Sequence, residues 1–446
     1  MAVLKTSAGT LRGIEKETCD AFLGVPYARA ERFGYAEPLG AWEGERDCTS
    51  FGASCPQYRQ YFPQLENPER LFYQKEFREG LRFVYEEDCL NLNLYVPKQA
   101  KDCPVIVYFH GGGFNSGSNM EAPFRGDALA ARGILTVFVN YRVGILGYLT
   151  HEEVKATYGR EGNFGLDDQL TAVHWVREHI SDFGGDPDNI TLMGQSAGAI
   201  SIQYLCLNHE LEGLFQKAVM MSGGGLFPRF ALPRAAEETR SYWKDLMALA
   251  GCESLEQLKK LGIKELLSAE YALKQQRKDA VYHTMPVVDG ALIKAPVDQL
   301  IRDPLKIPYM IGFTNNDMYA PVMARIGTVF GKATGAYLYY FDLDAPGDHN
   351  AAFHSSELRY MFGTLEGSWR PYGARDREVS AQMMDYAASF ARTGDPNGEG
   401  LPAWRPAGKT SSAALCLGPK KTAMGHPDYV KMTKNMLTKG DPKDGR

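Results

Sequence analysis

The sequence predicts an α/β protein with a mostly parallel central sheet, helices on both faces and a small antiparallel edge at the N-terminal end. Three observations predict it. Short apolar runs rich in β-branched residues recur along the chain, as parallel strands covered on both faces require. Segments with helical spacing separate them. Directly behind one such run, Ile190-Thr191-Leu192-Met193, stands Gly194-Gln195-Ser196-Ala197-Gly198. This G-x-S-x-G pattern needs a strand, a sharp turn and a helix around it.

The elements follow in chain order. Gly9, Gly13 and Gly24 punctuate paired strand-like pieces, which form the antiparallel edge. Residues 66–87 are rich in charge and aromatic rings and read as a loop, either near the mouth of a site or plain surface. Val105–Phe109 and Leu135–Val139 read as buried strands, being short, β-branched and bounded by polar residues or glycine. Asp168–Ile180 carries helical spacing and leads to the strand Ile190–Met193. Ala218–Met221, Pro308–Ile311 and Ala336–Phe341 are further strands, and Arg234–Ala250 is a helix. No repeat or low-complexity linker divides the chain, so residues 1–430 read as one catalytic domain. The polar, basic segment 431–446 lacks the apolar content to offset ordering entropy and reads as a frayed tail.

Bulk properties narrow the function. The 446 residues are 44% hydrophobic and 23% charged, with a net charge of -5. That balance is ordinary for a soluble globular protein and argues against a nucleic-acid partner. No apolar run is long enough to span a bilayer, so no membrane partner is expected. The opening residues Met1–Thr6 lack the apolar core of a secretory signal. The 8 cysteines are scattered and form no C-x-x-C pair, so a disulfide scaffold and a metal site are not expected. Reduced thiols and a cytoplasmic location fit this pattern.

The chemistry begins at Ser196. A serine hydroxyl is a weak nucleophile until a base takes its proton. Acyl chemistry also needs main-chain donors aimed at the developing oxyanion. His110-Gly111-Gly112-Gly113-Phe114 follows the strand ending at Phe109 and supplies such a loop, with Gly112 and Gly113 as donors. The N–H of Ala197, just after the serine, is a third donor. Acid and then base should follow the serine in the chain. Among the histidines, spacing leaves His349 and His354 open, both in a loop after the strand at 336–341. Asp317, just past the strand at 308–311, is the leading acid, with Asp342 and Asp344 as alternatives.

These residues together resemble the type-B carboxylesterase family, members of which share the α/β-hydrolase fold. The blocks that carry the resemblance run from about Gly9 to Trp404. They include Phe22-Leu23-Gly24-Val25-Pro26-Tyr27-Ala28, Glu87-Asp88-Cys89-Leu90-Asn91-Leu92-Asn93, Asn163-Phe164-Gly165-Leu166-Asp167-Asp168-Gln169 and Phe183-Gly184-Gly185-Asp186-Pro187. The resemblance implies that His354, opening His354-Ser355-Ser356-Glu357-Leu358, is the base and that Asp317 is the acid, where many members carry glutamate. It also implies a buried polar network at Gln195, Ser222 and Glu357. Gln195 stands where many members have glutamate, which removes a negative charge beside the imidazolium.

The implied activity is hydrolysis of a small-molecule carboxylic ester through an acyl-serine, with no metal or organic cofactor. Three departures from the family shape the expected substrate. The acid-to-base separation is short, so the site should be shallower or differently covered. The loop between Cys55 and Cys89 lacks tryptophan, which argues against choline esters. These two cysteines stand where secreted relatives carry a disulfide, and free thiols are expected in a cytoplasmic chain. Tyr73, Phe77, Phe83, Tyr85 and Phe114 are candidates to line an acyl or aryl pocket, although packing is the commoner role for such rings. Short-chain acyl or aryl esters, including hydroxycinnamate and xenobiotic esters, suit this reading. A non-catalytic binding protein and an amidase or peptidase on the same fold are the rival readings.

Overall fold

The computed structural model describes residues 1–61, 68–226, 232–277, 283–317, 329–330, 335–407 and 413–428. The tail at 431–446 lies outside them. Among the described residues, fifteen strands follow the chain: β1 (Ala2–Lys5), β2 (Thr10–Glu15), β3 (Cys19–Pro26), β4 (Ala28–Arg29), β5 (Glu37–Pro38), β6 (Glu45–Asp47), β7 (Asn91–Pro97), β8 (Cys103–Phe109), β9 (Leu135–Val139), β10 (Gly185–Gln195), β11 (Lys217–Met221), β12 (Tyr309–Thr314), β13 (Ala336–Phe341), β14 (Ala414–Leu417) and β15 (Thr422–Gly425). Thirteen of them form one sheet in the order β1-β2-β3-β7-β9-β8-β10-β11-β12-β13-β14-β15, with β6 beside β2. From β9 to β14 every pairing is parallel. The antiparallel edge is larger than expected, because β7 also pairs antiparallel with both β3 and β9.

The central runs are apolar because both faces of the sheet are covered. Along β8, Val105, Val107 and Phe109 enter one core while Ile106 and Tyr108 enter the other. Successive strand side chains point to opposite faces, so a run without polar alternation marks two cores. Helices Phe164–His179, Ala197–Cys206 and Ala236–Leu249 pack toward the first core, and Ala374–Thr393 toward the second. The buried ion pair Arg142–Asp168 ties helix Phe164–His179 to the segment after β9. Arg142 donates from Nε to Asp168 Oδ2 at 2.8 Å and from Nη2 to Oδ1 at 2.7 Å. Within the expected loop, Pro68–Phe77 is a helix, while residues 66 and 67 lie outside the described residues.

The strand order places the site. The chain runs from β8 to β9 on one side and then returns to β10 on the other side of β8. In open α/β sheets such a switch point opens a crevice at the carboxyl ends of the strands. The loop after β8, the turn after β10 and the segments after β12 and β13 all leave the sheet at that edge.

Candidate active site

Ser196 sits between β10 and helix Ala197–Cys206 with φ 55 and ψ −121, a backbone state rare for any side-chain-bearing residue. Two close approaches hold it there. A Cβ on Gly194 would lie 2.6 Å from the Gly198 carbonyl carbon, and one on Gly198 would lie 2.1 Å from the Phe109 oxygen. Only glycine allows helix and strand to meet so tightly. The Ser196 N–H donates to Met221 O at 2.8 Å, which pins the turn to the end of β11.

The loop after β8 lies directly against this turn. A Cβ on Gly111 would meet Ser196 Cβ at 3.0 Å. Gly112, with φ +122, has no room for a side chain: its Cβ would lie 1.9 Å from Ser116 O. Gly113 faces open space on its Cβ side. Gln57 clamps the far end of the loop, donating from Nε2 to Gly117 O at 3.0 Å and accepting from Gly117 N–H at 3.1 Å. His110 is buried, stacks on Tyr141 with centroids 4.4 Å apart and contacts Gly111 O through Nδ1 at 2.8 Å. Burial pushes the His110 pKa down to about 4, so this ring stays neutral and holds the loop rather than moving protons. The clamping roles of Gln57 and Tyr141 were not visible in the sequence, where only the glycine run carried a signal.

The structure brings His354 and Asp317 together. His354 Nδ1 and Asp317 Oδ2 are 3.1 Å apart, and the carboxylate side chain is fully buried. The other ring nitrogen, Nε2, meets the Gln195 amide nitrogen at 3.2 Å. The amide is the donor in that contact, so Nε2 carries the lone pair and Nδ1 the proton. Nε2 thus faces the side chain of the residue before Ser196. Burial opposes charging of His354. The Asp317 carboxylate, its hydrogen bond and the Glu357 carboxylate outweigh burial and hold the pKa above the ordinary imidazole value.

The alternative acids are engaged elsewhere. Asp342 accepts from Tyr340 Oη at 3.1 Å and Asn315 Nδ2 at 2.8 Å, and Asp344 accepts from the Ala352 N–H at 3.2 Å. His349 contributes nothing to this pairing. Glu357 lies beneath the site, where Ser222 Oγ donates to its Oε1 at 3.0 Å. Its Oε2 is buried with no hydrogen-bond partner among the described residues. Burial pushes the Glu357 pKa up to about 7, against the pull of His354 and Ser222.

The aromatic candidates divide. Phe77 and Phe114 are buried core residues. Phe114 packs edge-on against Tyr148 with centroids 5.4 Å apart. Tyr73 lies against His354, its hydroxyl donating to His354 O at 3.4 Å. Phe83 and Tyr85 stack on each other at 6.1 Å. Cys55 and Cys89 are buried free thiols in mutual contact.

Known proteins show the family to which the chain belongs. The carboxylesterase family matches residues 1–328 and 317–436. The para-nitrobenzyl esterase of Bacillus subtilis (strain 168) is 27% identical over 98% of this chain and 99% of its own length. Carboxylesterase 5A of Canis lupus familiaris is 32% identical over 86% of this chain and 79% of its own. The solved structure of an esterase from Clostridium hathewayi, described as able to hydrolyse aliphatic aromatic polyesters, superposes with a TM-score of 0.84 at 25% identity, covering 98% of each chain. No helix among the described residues is long and apolar enough to cross a membrane. The chain therefore belongs to the carboxylesterase family and is a carboxylic ester hydrolase with the α/β-hydrolase fold.

Proposed function

We propose that the chain hydrolyses short-chain or aryl carboxylic esters through an acyl-serine intermediate on Ser196. His354 takes the serine proton as the hydroxyl attacks the ester carbonyl. It then delivers that proton to the leaving alcohol and activates water for deacylation. Asp317 keeps the imidazole in the Nδ1–H tautomer and stabilises its charged form. The N–H groups of Gly112, Gly113 and Ala197 receive the oxyanion. Gln195, Ser222 and Glu357 surround the base and set its charge environment.

One observation carries the reading. His354 is paired through Nδ1 with a buried carboxylate, and its Nε2 lies 3.2 Å from the side-chain amide of Gln195, the residue before Ser196. Two relatives favour aryl substrates: the Bacillus protein is named for a para-nitrobenzyl ester, and the Clostridium esterase is described as acting on aliphatic aromatic polyesters. The test is labelling with a fluorophosphonate probe, mapped by mass spectrometry, beside turnover of matched ester and amide substrates. Label on Ser196 that disappears in Ser196→Ala, with esters cleaved in preference to amides, is the expected result. Folded protein that takes up no label favours a binding role instead.

A further inference from the structure

Helix Pro68–Phe77 lies across the segment that carries His354. Phe72 meets Phe353 edge-on with centroids 4.6 Å apart, and Tyr73 Oη reaches His354 O. Behind these contacts Glu76 is buried and receives a guanidinium on each carboxylate oxygen. Arg359 Nε donates to Oε1 at 2.7 Å and Arg370 Nε donates to Oε2 at 2.8 Å. Arg359 also donates from Nη2 to the Glu76 carbonyl at 2.6 Å. Arg370, whose side chain is wholly buried, continues to Asp348 Oδ2 at 2.8 Å and to Pro346 O at 2.8 Å. The charges balance, with two carboxylates against two guanidiniums.

The segment so gripped needs outside support. Ala351 and Ser355, on either side of His354, hold φ values of 54 and 83, in the left-handed region that side chains disfavour. Such backbone persists only where surrounding contacts over-determine it. Glu76 is tied directly to Arg359 and Arg370 after His354, and through Arg370 to Pro346 and Asp348 before it. Buried ion pairs of this kind add little net stability over apolar packing, but a planar carboxylate between two guanidiniums fixes direction.

We propose that Glu76 is a positioning residue for His354: it locks the helix Pro68–Phe77 to the base-bearing segment and thereby fixes the orientation of the imidazole toward the elbow. The proposal rests on the reading of Ser196, His354 and Asp317 as the hydrolytic machinery. Glu76 touches no reacting atom and acts through the backbone that carries the base.

The experiment compares wild type, Glu76→Gln and Tyr73→Phe. Each is titrated for active sites with a fluorophosphonate and assayed on p-nitrophenyl acetate well below its melting midpoint. Misplacing a catalytic group by about 1 Å costs roughly 100-fold, so Glu76→Gln is expected to lower kcat per titrated site by about 10- to 100-fold. Fluorophosphonate acylation should slow by a similar factor, while KM changes little. Tyr73→Phe should lower kcat by about threefold, the size of one lost hydrogen bond. A Glu76→Gln enzyme that melts earlier yet turns over like wild type per titrated site overturns the proposal. Should that variant fail to fold, a Tyr73→Phe enzyme with wild-type kcat overturns it equally. Wild type that neither labels nor turns over would sink the underlying hydrolase reading instead.

Discussion

Replacing Gly112 by alanine tests the oxyanion cradle at the point where the structure leaves least freedom. The new methyl would lie 1.9 Å from Ser116 O, and ordinary contact begins near 3.4 Å, so 3.4 − 1.9 = 1.5 Å must be found. The obstacle is backbone, and it belongs to the same turn, since the Ser116 N–H donates to Gly112 O at 3.2 Å. No rotamer change relieves it. The loop must move, and its N–H donors move with it. Loss of one such donor costs about 10²- to 10³-fold in kcat, or roughly 2.7–4 kcal/mol of transition-state stabilisation. Gly112→Ala should therefore lower kcat on p-nitrophenyl acetate by that factor while the fold survives. Gly113→Ala is the matched comparison, because its Cβ meets nothing within 4 Å. It bears only the left-handed backbone cost of about 1–2 kcal/mol and should stay within about tenfold of wild type. If Gly112→Ala turns over within tenfold of wild type, the donor assignment is refuted.

Three further outcomes follow from the charges around the base and in the core. Gln195→Glu adds a negative charge beside His354 Nε2, which favours the imidazolium, so the acidic limb of kcat/KM should move to higher pH than in the parent; coincident limbs would remove Gln195 from the electrostatics. Glu357 keeps its proton in the folded state up to about pH 7, whereas the unfolded chain loses it in the ordinary carboxylate range. Its contribution is therefore present at low pH and lost as pH rises toward 7. Glu357→Gln should remove that decline, on the order of 3 kcal/mol, from urea-unfolding free energies measured between pH 4.5 and 7; an unchanged slope rejects the assignment. Asp168→Asn leaves Arg142 buried beside a neutral amide and should cost about 3–5 kcal/mol, read as a lower denaturation midpoint, and a loss below 1 kcal/mol would contradict the burial of the pair.

Much of this arrangement was legible in the sequence because local chemistry wrote it there. β9 and β13 coincide with the apolar runs Leu135–Val139 and Ala336–Phe341. The G-x-S-x-G turn and the glycine loop could be located because tight backbone contact leaves glycine as the only solution. β7 was harder to read. Its Asn91 and Asn93 look like loop residues, yet both are buried with their amides satisfied, Asn93 Nδ2 donating to Asn119 O at 3.1 Å. The choice among Asp317, Asp342 and Asp344 needed the fold, since partners such as Asn315 decide which carboxylate meets the base. The Glu76 cluster was hidden for the same reason, its members lying 283 and 294 positions apart. Phe77 and Phe114 showed that an aromatic side chain near a site in sequence can belong to the core.

β12 and β13 pair directly over six residues, from Tyr309–Ala336 to Thr314–Phe341, while Asp317 and His354, 37 positions apart, both sit beyond their ends. β13 itself lies between the two in the chain, so the pairing of β12 with β13 brings them to the same edge of the sheet. Changes beyond these strand ends can therefore remodel what the enzyme accepts, while the paired strands keep the rails on which Asp317 and His354 are mounted.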